Sequence, residues 1–365
     1  MNIKRVGSIA AIALVGTIAL SSCASNEDAA PGSSSSGGTS LSGTINGIGS
    51  SAQGVAETTW AAGFQEANGT GVTVNYDPQG SGAGRTSFIS GAADFAGSDA
   101  ALSDDEIKST FAGCAADSKA IDLPVYISPI AVAYNVDGLK DLILDADTIA
   151  GIFSGKITKW NDSAITKLNP DATLPSASIT VVHRSDDSGT TQNFTEYLAA
   201  EAKSVWTKPA SQTFPYSVGD AAKGTSGVAD ATKNSKNSIT YIDESAATGL
   251  SVSQLVVGGT ATKISADGAA AVVAKSPLVE GRADNDLAIN IDRTLTDSGD
   301  WPMVLVSYMI ACDTYKDSAK GDLVKAYATY AASDAGQKAA AAQAGSAPLD
   351  SDLAAKVATA AATIK

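Results

Sequence analysis

The chain has 365 residues, with 25 basic and 39 acidic side chains, a formal net charge of −14, one histidine and three cysteines. So acidic a balance argues against nucleic acid as a partner, and a single histidine excludes a metal cluster built from histidines. The roughly 325 residues beyond position 40 suffice for two domains.

Residues 1–22 carry Lys4 and Arg5, an apolar run from Ile9 to Leu20, and Ser21-Ser22 before Cys23, the layout of a secretory signal. The run is about 12 residues long where a bilayer asks for ~20, so a removed segment is expected rather than a membrane-spanning helix. Leu20-Ser21-Ser22-Cys23 resembles a bacterial lipobox, which implies lipidation of Cys23 and a protein held on the outer face of the cell membrane. Ordinary secretion with a free Cys23 is the other reading. Residues 23–40 are rich in Ser, Gly and Ala without a large apolar residue, and read as a flexible tether. Loss of Lys4 and Arg5 from the 25 basic residues leaves 23 against 39 acidic ones, a net −16. Cys114 and Cys312 then remain in an oxidising compartment and are expected to pair, the alternative being two buried thiols.

Beyond the tether, short apolar strands alternate with helical patterns, which predicts an α/β fold. Strands are expected at Val72–Tyr76, Val125–Tyr134, Ile179–Val182, Ile239–Ile242 and Met303–Val306, all rich in β-branched residues. A helix is expected from Ser51 to Asn68, closing at Gly69. Ser103-Asp104-Asp105-Glu106 has the spacing of a capping box and predicts another helix start. From Gly321 onward the chain is Ala-rich and helical in pattern, in two segments separated by Pro348. The stretch from Lys203 to Lys236 resists assignment.

Val181 to Thr191 reads as a strand, a polar turn and a helix start. Free N–H groups at a helix start attract an anion, so Ser188, Gly189 and Thr190 are candidate donors, with Arg184 as a guanidinium fork and Asp186 placed to hold it. A plain helix cap with a surface arginine explains the segment equally well. Gln79 to Arg85 is a second glycine-rich turn before the helical Thr86–Ser90. It lacks the dinucleotide fingerprint and the P-loop ending, so no nucleotide cofactor is implied. Asn46 to Gln53 repeats the device at the start of the Ser51–Asn68 helix. His183 precedes Arg184 on an apparent strand, so their side chains face opposite ways, and no Gly-x-Ser-x-Gly elbow is present. Both facts disfavour a hydrolase or phosphatase.

These segments, in this order, resemble the phosphate-binding protein of the bacterial phosphate ABC importer, over Gly43 to about Trp301. The matching stretches include Gly47-Ile48-Gly49-Ser50-Ser51, Asp94-Phe95-Ala96-Gly97-Ser98-Asp99, Gly155 to Asp162, Leu168-Asn169-Pro170, Arg184 to Thr190 and Ile264 to Gly268. The resemblance implies a two-lobe periplasmic-binding-protein-like fold with the ligand cleft between the lobes. Lobe I would comprise residues 41–125 plus 302–365, and lobe II residues 126–301. It implies binding of inorganic phosphate, without cofactor or metal, and delivery by a monomer to the membrane permease subunits. By motif position the phosphate ligands would be Ser51, Ala52, Ser81, Asp99, Arg184, Ser188, Gly189 and Thr190. The first loop reads Ser51-Ala52-Gln53 where many family members have Thr-Phe-Pro. Asp99, otherwise a solvent-facing cap before Leu102, would accept a proton-bearing phosphate oxygen and repel sulfate, which has no proton to give.

Overall fold

The computed structural model describes residues 41–365, so the signal segment 1–22, Cys23 and the tether 23–40 lie outside the described residues. The described chain opens with β1 (Gly43–Gly49), α1 (Gly54–Asn68), β2 (Val72–Asp77), α2 (Ser81–Ser90) and β3 (Phe95–Ser98). Each helix in this run joins two parallel strands, the connection that a parallel ladder requires. Next come β4 (Ala120–Asn135), β5 (Ile143–Leu144), α3 (Ala146–Phe153), α4 (Ser163–Leu168), β6 (Thr180–Arg184), α5 (Gly189–Glu201), β7 (Asp220–Ala222), α6 (Gly224–Asn234) and β8 (Ser238–Asp243). The order closes with β9 (Ser251–Val252), β10 (Gln254–Val257), β11 (Thr260–Thr262), α7 (Ala266–Lys275), β12 (Val304–Cys312), α8 (Ser318–Ala332), α9 (Asp334–Ala344) and α10 (Ser351–Ala362).

The main sheet runs β2-β1-β3-β12-β4-β8-β6-β7, with β9 added alongside β4, and β11-β10-β5 form a small second sheet. Two parallel wings, β2-β1-β3 and β8-β6-β7, flank an antiparallel centre made by β12 and β4. β4 belongs to both wings: residues 120–129 pair with β12, and from Ile130 onward the strand pairs with β8. Every residue of β4 except its last is buried, and so is all of β12, which accounts for their continuous apolar runs. The ladder between them shifts register between Ser307 and Tyr308, beside Pro124, whose ring nitrogen has no hydrogen to give.

Cys114 and Cys312 are joined in a disulfide, with Cα atoms 5.4 Å apart and a sequence separation of 198. The bond fixes the segment after β3 to the end of β12, and β12 lies next to β3 in the sheet.

The structure departs from several of the sequence expectations. Ser103–Glu106 makes its capping-box bonds, Ser103 N to Glu106 Oε2 at 2.8 Å and Glu106 N to Ser103 Oγ at 3.3 Å, yet the segment is a turn and not a helix. One nucleating turn is followed by Ser109 and Thr110, which propagate poorly, and Glu106 Oε1 is held by Arg85 Nε at 2.9 Å. The first helix begins at Gly54 rather than Ser51, because Ser50 Oγ takes the Ala52 and Gln53 amides and holds them in a bend. α2 begins at Ser81, so most of the apparent glycine turn is helix. The C-terminal region starts at Ser318 and forms three helices, Ser333 capping α9 as a second break besides Pro348. The unassigned stretch 203–236 supplies β7 and α6.

In the first turn of α1, Glu57 is buried, and Tyr327 donates to its Oε2 at 2.6 Å. Burial pushes its carboxyl up to about 8 from 4.5, against the smaller pull of the Tyr327 bond. The folded chain therefore binds one more proton than the unfolded chain between those two values, and this residue's contribution to stability falls as pH rises from 4.5 to 8. Glu57→Gln, which mimics the protonated acid, is expected to match the parent below pH 4.5 and exceed it by on the order of 5 kcal/mol above pH 8, in urea unfolding series across pH. Replacing Cys114 and Cys312 together by serine is expected to cost about 2–5 kcal/mol in the same assay at neutral pH.

Candidate functional site

Asp99 follows β3 directly, is 3 % exposed, and has every polar atom engaged. Ser50 Oγ and Ser307 Oγ donate to its Oδ1, the latter at 2.8 Å, and Thr190 Oγ1 donates to Oδ2 at 3.2 Å. Its amide donates to Ser81 Oγ at 3.1 Å and its carbonyl accepts from Asn193 Nδ2 at 2.6 Å. Burial raises its carboxyl pKa, opposed by the hydrogen bonds from Ser50 and Ser307, the Arg184 charge and the Thr190 bond. These partners come from the turn before α1, the start of α2, the first turns of α5 and the middle of β12.

The α5 start is the densest source of donors. Ser188 is its cap, with Oγ accepting from Thr191 N at 3.2 Å. The first intrahelical bond is Gln192 N to Ser188 O at 3.0 Å, so the amides of Gly189 and Thr190 have no intrahelical partner. A Cβ on Gly189 would lie 2.6 Å from Asp99 Cβ and 2.7 Å from Ser81 Oγ. Glycine is thus what lets this helix start meet the Asp99 side. Gly82 has the same task from the opposite side, since its Cβ would lie 2.6 Å from Asp187 Cβ and its amide donates to Asp187 O at 3.2 Å.

Arg184, at the end of β6, is buried and gripped by Asp186, with Nε donating to Oδ1 at 2.8 Å. The Asp186 carboxyl sits below its ordinary range: burial works against ionisation, and the Arg184 bonds and charge together with the Gly224 amide outweigh it. Gly224 N donates to Asp186 Oδ1 at 3.0 Å. Thr225 continues the chain of contacts, its amide donating to Ser51 Oγ at 3.0 Å and its hydroxyl lying 3.0 Å from the same atom. Lys223 Nζ to Gln79 Oε1 at 2.7 Å and Arg85 Nη2 to Gln212 Oε1 at 2.6 Å join the same two faces. A groove of about 640 Å³ opens beside Ser51, Tyr76, Gln79 and Thr225.

The structure therefore gathers Ser81, Asp99, Gly189 and Thr190 in direct contact, with Ser188 one residue away and Arg184 near enough for its charge to act on Asp99. Ser51 sits at the α6 start, and the Ala52 amide turns to Ser50 Oγ. Sequence reasoning missed Ser50, Thr225, Asn193 and Ser307. Ser50 is adjacent to a predicted residue. The others carry no local signal, because their roles arise only from pairing across 94 to 208 residues. His183 stacks on Phe214 with ring centroids 4.2 Å apart, and its Nδ1 lies 2.9 Å from the Arg184 carbonyl, so it serves packing and no hydroxyl. Among the described residues no cluster of His, Cys, Asp and Glu has the arrangement of a metal site, and no helix is long and apolar enough to cross a membrane.

Helix starts closing on a buried carboxylate and a clamped arginine, astride a sheet with two parallel wings, are features of solute-binding proteins. Residues 34–335 match the PBP superfamily domain. Among named relatives, phosphate-binding protein PstS 3 of Mycobacterium tuberculosis strain H37Rv is 38 % identical over 90 % of each chain. Phosphate-binding protein PstS2 of Mycobacterium bovis BCG is 36 % identical over 99 % of each. A periplasmic phosphate-binding protein solved with bound phosphate, PfluDING, superposes with a TM-score of 0.71 at 23 % identity, covering 87 % of this chain and 93 % of that one, a likeness of fold. The chain belongs to the PstS phosphate-binding proteins of the PBP superfamily, a family of binding proteins and not of enzymes.

Gly189→Ala should force the α5 start away from Asp99 and Ser81. The expected outcome is a larger radius of gyration by small-angle scattering and about 1–3 kcal/mol of lost stability, as for other overpacked contacts. An unchanged scattering profile would show that the contact can absorb a methyl group.

Proposed function

We propose that this protein binds inorganic phosphate around Asp99 and passes it to an ABC-type importer. The observation that carries the reading is the arrangement at Asp99 Oδ2. A carboxylate oxygen offers about two acceptor positions; Oδ1 has both taken, by Ser50 and Ser307, whereas Oδ2 has one taken, by Thr190. In this reading the remaining position takes a ligand atom beside the α5 start, where the Gly189 and Thr190 amides lack helical partners. A ligand that both accepts from amides and donates one hydrogen suits this pair, and phosphate near neutral pH keeps at least one proton. Sulfate has none to offer an ionised carboxylate. The names of the relatives support the same ligand.

In this reading Arg184 supplies the cation and Asp186 fixes its plane. Ser81, Ser188, Gly189 and Thr190 supply hydroxyls and amides, while Ser51 and Ala52 shape the α1 side. Micromolar affinity asks for about 8 kcal/mol, which a few charge-assisted bonds of roughly 1.5–3 kcal/mol each supply after desolvation. Two lobes, residues 41–125 with 302–365 and residues 126–301, would open and close about β4. Support comes from the change of partner at Ile130 and from the cross-contacts of Ser51, Gly82 and Gln79 with Thr225, Asp187 and Lys223. The protein would act as a monomer, exported and tethered to the cell membrane through lipidated Cys23.

Isothermal titration of ligand-stripped protein is expected to show one phosphate per chain and no heat with sulfate. Asp99→Asn is expected to lower the phosphate-over-sulfate ratio at least tenfold, a change of about 1.4 kcal/mol. Absence of phosphate binding in the parent protein would sink the reading, and unaltered selectivity in Asp99→Asn would remove the role given to that carboxylate.

A further inference from the structure

Ser307 lies within β12, 208 residues from Asp99 in sequence, and no motif marks it. Its position follows from the sheet. β12 pairs with β3 in antiparallel register with Tyr308 opposite Ser98, so one step further along the same register sets Ser307 opposite Asp99. On the other side of β12 the register against β4 slips between Ser307 and Tyr308, with Ser307 opposite Tyr126 and Tyr308 opposite Pro124. The extra residue, Val125, is on β4. Such a bulge commonly re-aims a side chain next to a functional site. Here the Ser307 hydroxyl, wholly buried, donates to Asp99 Oδ1 at 2.8 Å.

We infer that Ser307 is a positioning residue for anion selection: together with Ser50 it fills Asp99 Oδ1, keeps the carboxylate charged, and leaves Oδ2 as the acceptor turned to the ligand. The inference rests on the assignment of Asp99 to phosphate binding. Its physical basis is the contest at this carboxyl. Burial favours the neutral acid, and hydrogen bonds donated to the charged form favour ionisation. A neutral Asp99 can donate as well as accept, and would tolerate a fully ionised oxyanion. The ionisable groups facing it from neighbouring elements are Arg184 on β6, Asp243 at the end of β8, Tyr126 on β4 and Tyr76 on β2. Of these only Arg184 carries the opposite charge and favours the carboxylate. Asp243 and the two tyrosines offer Asp99 no compensating cation, so the hydroxyls of Ser50, Ser307 and Thr190 supply the rest.

The test compares the parent with Ser307→Ala, which deletes one oxygen, and Ser307→Thr, which keeps the hydroxyl; thermal unfolding establishes that each is folded. The Asp99 titration is read in the anion-free proteins from carboxyl carbon chemical shifts, and phosphate and sulfate affinities are measured from pH 5 to 9. The expected result is an Asp99 midpoint about one to two pH units higher in Ser307→Ala, the equivalent of one lost hydrogen bond to a charged group. Sulfate binding should then begin at correspondingly higher pH than in the parent, with Ser307→Thr returning both toward parent values. An unmoved Asp99 midpoint in folded Ser307→Ala overturns the inference, even if phosphate affinity drops, since that drop would reflect packing alone. A moved midpoint in proteins that bind no phosphate would leave the Ser307–Asp99 coupling standing and overturn the phosphate assignment instead.

Discussion

A carboxylate taken out of water must be given hydrogen bonds or lose its charge, and Asp99 is buried where β3 ends. Five hydrogen bonds meet at this one residue: Ser50, Ser307 and Thr190 on its oxygens, Ser81 at its amide and Asn193 at its carbonyl. The four donors, Ser50, Ser307, Thr190 and Asn193, come from a turn before α1, from β12 and from α5, and the acceptor Ser81 comes from α2. None of these elements can shift without stranding a polar atom, so the requirement to satisfy one acidic side chain fixes how distant parts of the chain meet.

The topology meets that requirement because helices follow strands in both parallel wings. β1 leads to α1, β2 to α2, β6 to α5 and β7 to α6, so four helix starts gather at the carboxyl ends of their strands. In open α/β sheets this edge is where ligands are held, since the starts present unpaired N–H groups and the positive ends of helix dipoles. Formal charge contributes little here. Asp186 cancels most of what Arg184 brings, and Asp99 offers no cation. A site with that balance would hold an anion by directed N–H and O–H groups, which is compatible with a net charge of −14 for the whole chain.

Much of this site was legible because strand-to-helix turns announce themselves locally. The segment Arg184 to Thr190 carries its strand, its cap and its cation within a few residues, and Ser81 opens α2 after a comparable turn; no helix follows Asp99, which was legible only through the family resemblance of Asp94 to Asp99. The unread part depends on sheet register. Ser307 has an apolar strand around it, Thr225 lies in the polar stretch that resisted assignment, and Asn193 looks like any polar helix residue. Ser103–Glu106 failed in the other direction: its capping bonds formed, but local bonds do not make a helix when the following residues neither propagate it nor bury a face. In the C-terminal region alanine content predicted helix and said nothing about where Ser333 would cut it.

The bonds that join the two faces of the cleft are few and polar: Ser51 with Thr225, Gly82 with Asp187, Gln79 with Lys223, Arg85 with Gln212. Each is worth only about 0.5–1.5 kcal/mol net, because water satisfies the same groups when the faces part. The α5 start differs, since there Gly189 meets Asp99 and Ser81 at close range and Thr190 reaches the buried carboxylate. An anion seated between those groups would bond to both faces at once and add several charge-assisted bonds to a weak set. Its differential affinity for the closed arrangement would then decide the equilibrium, which is the condition under which a ligand and not the protein's own contacts controls closure. Conformational control of that kind requires the protein's own latch bonds to stay weak, and the polar, partly exposed contacts of Gln79 and Lys223 meet that requirement where an apolar seam would not.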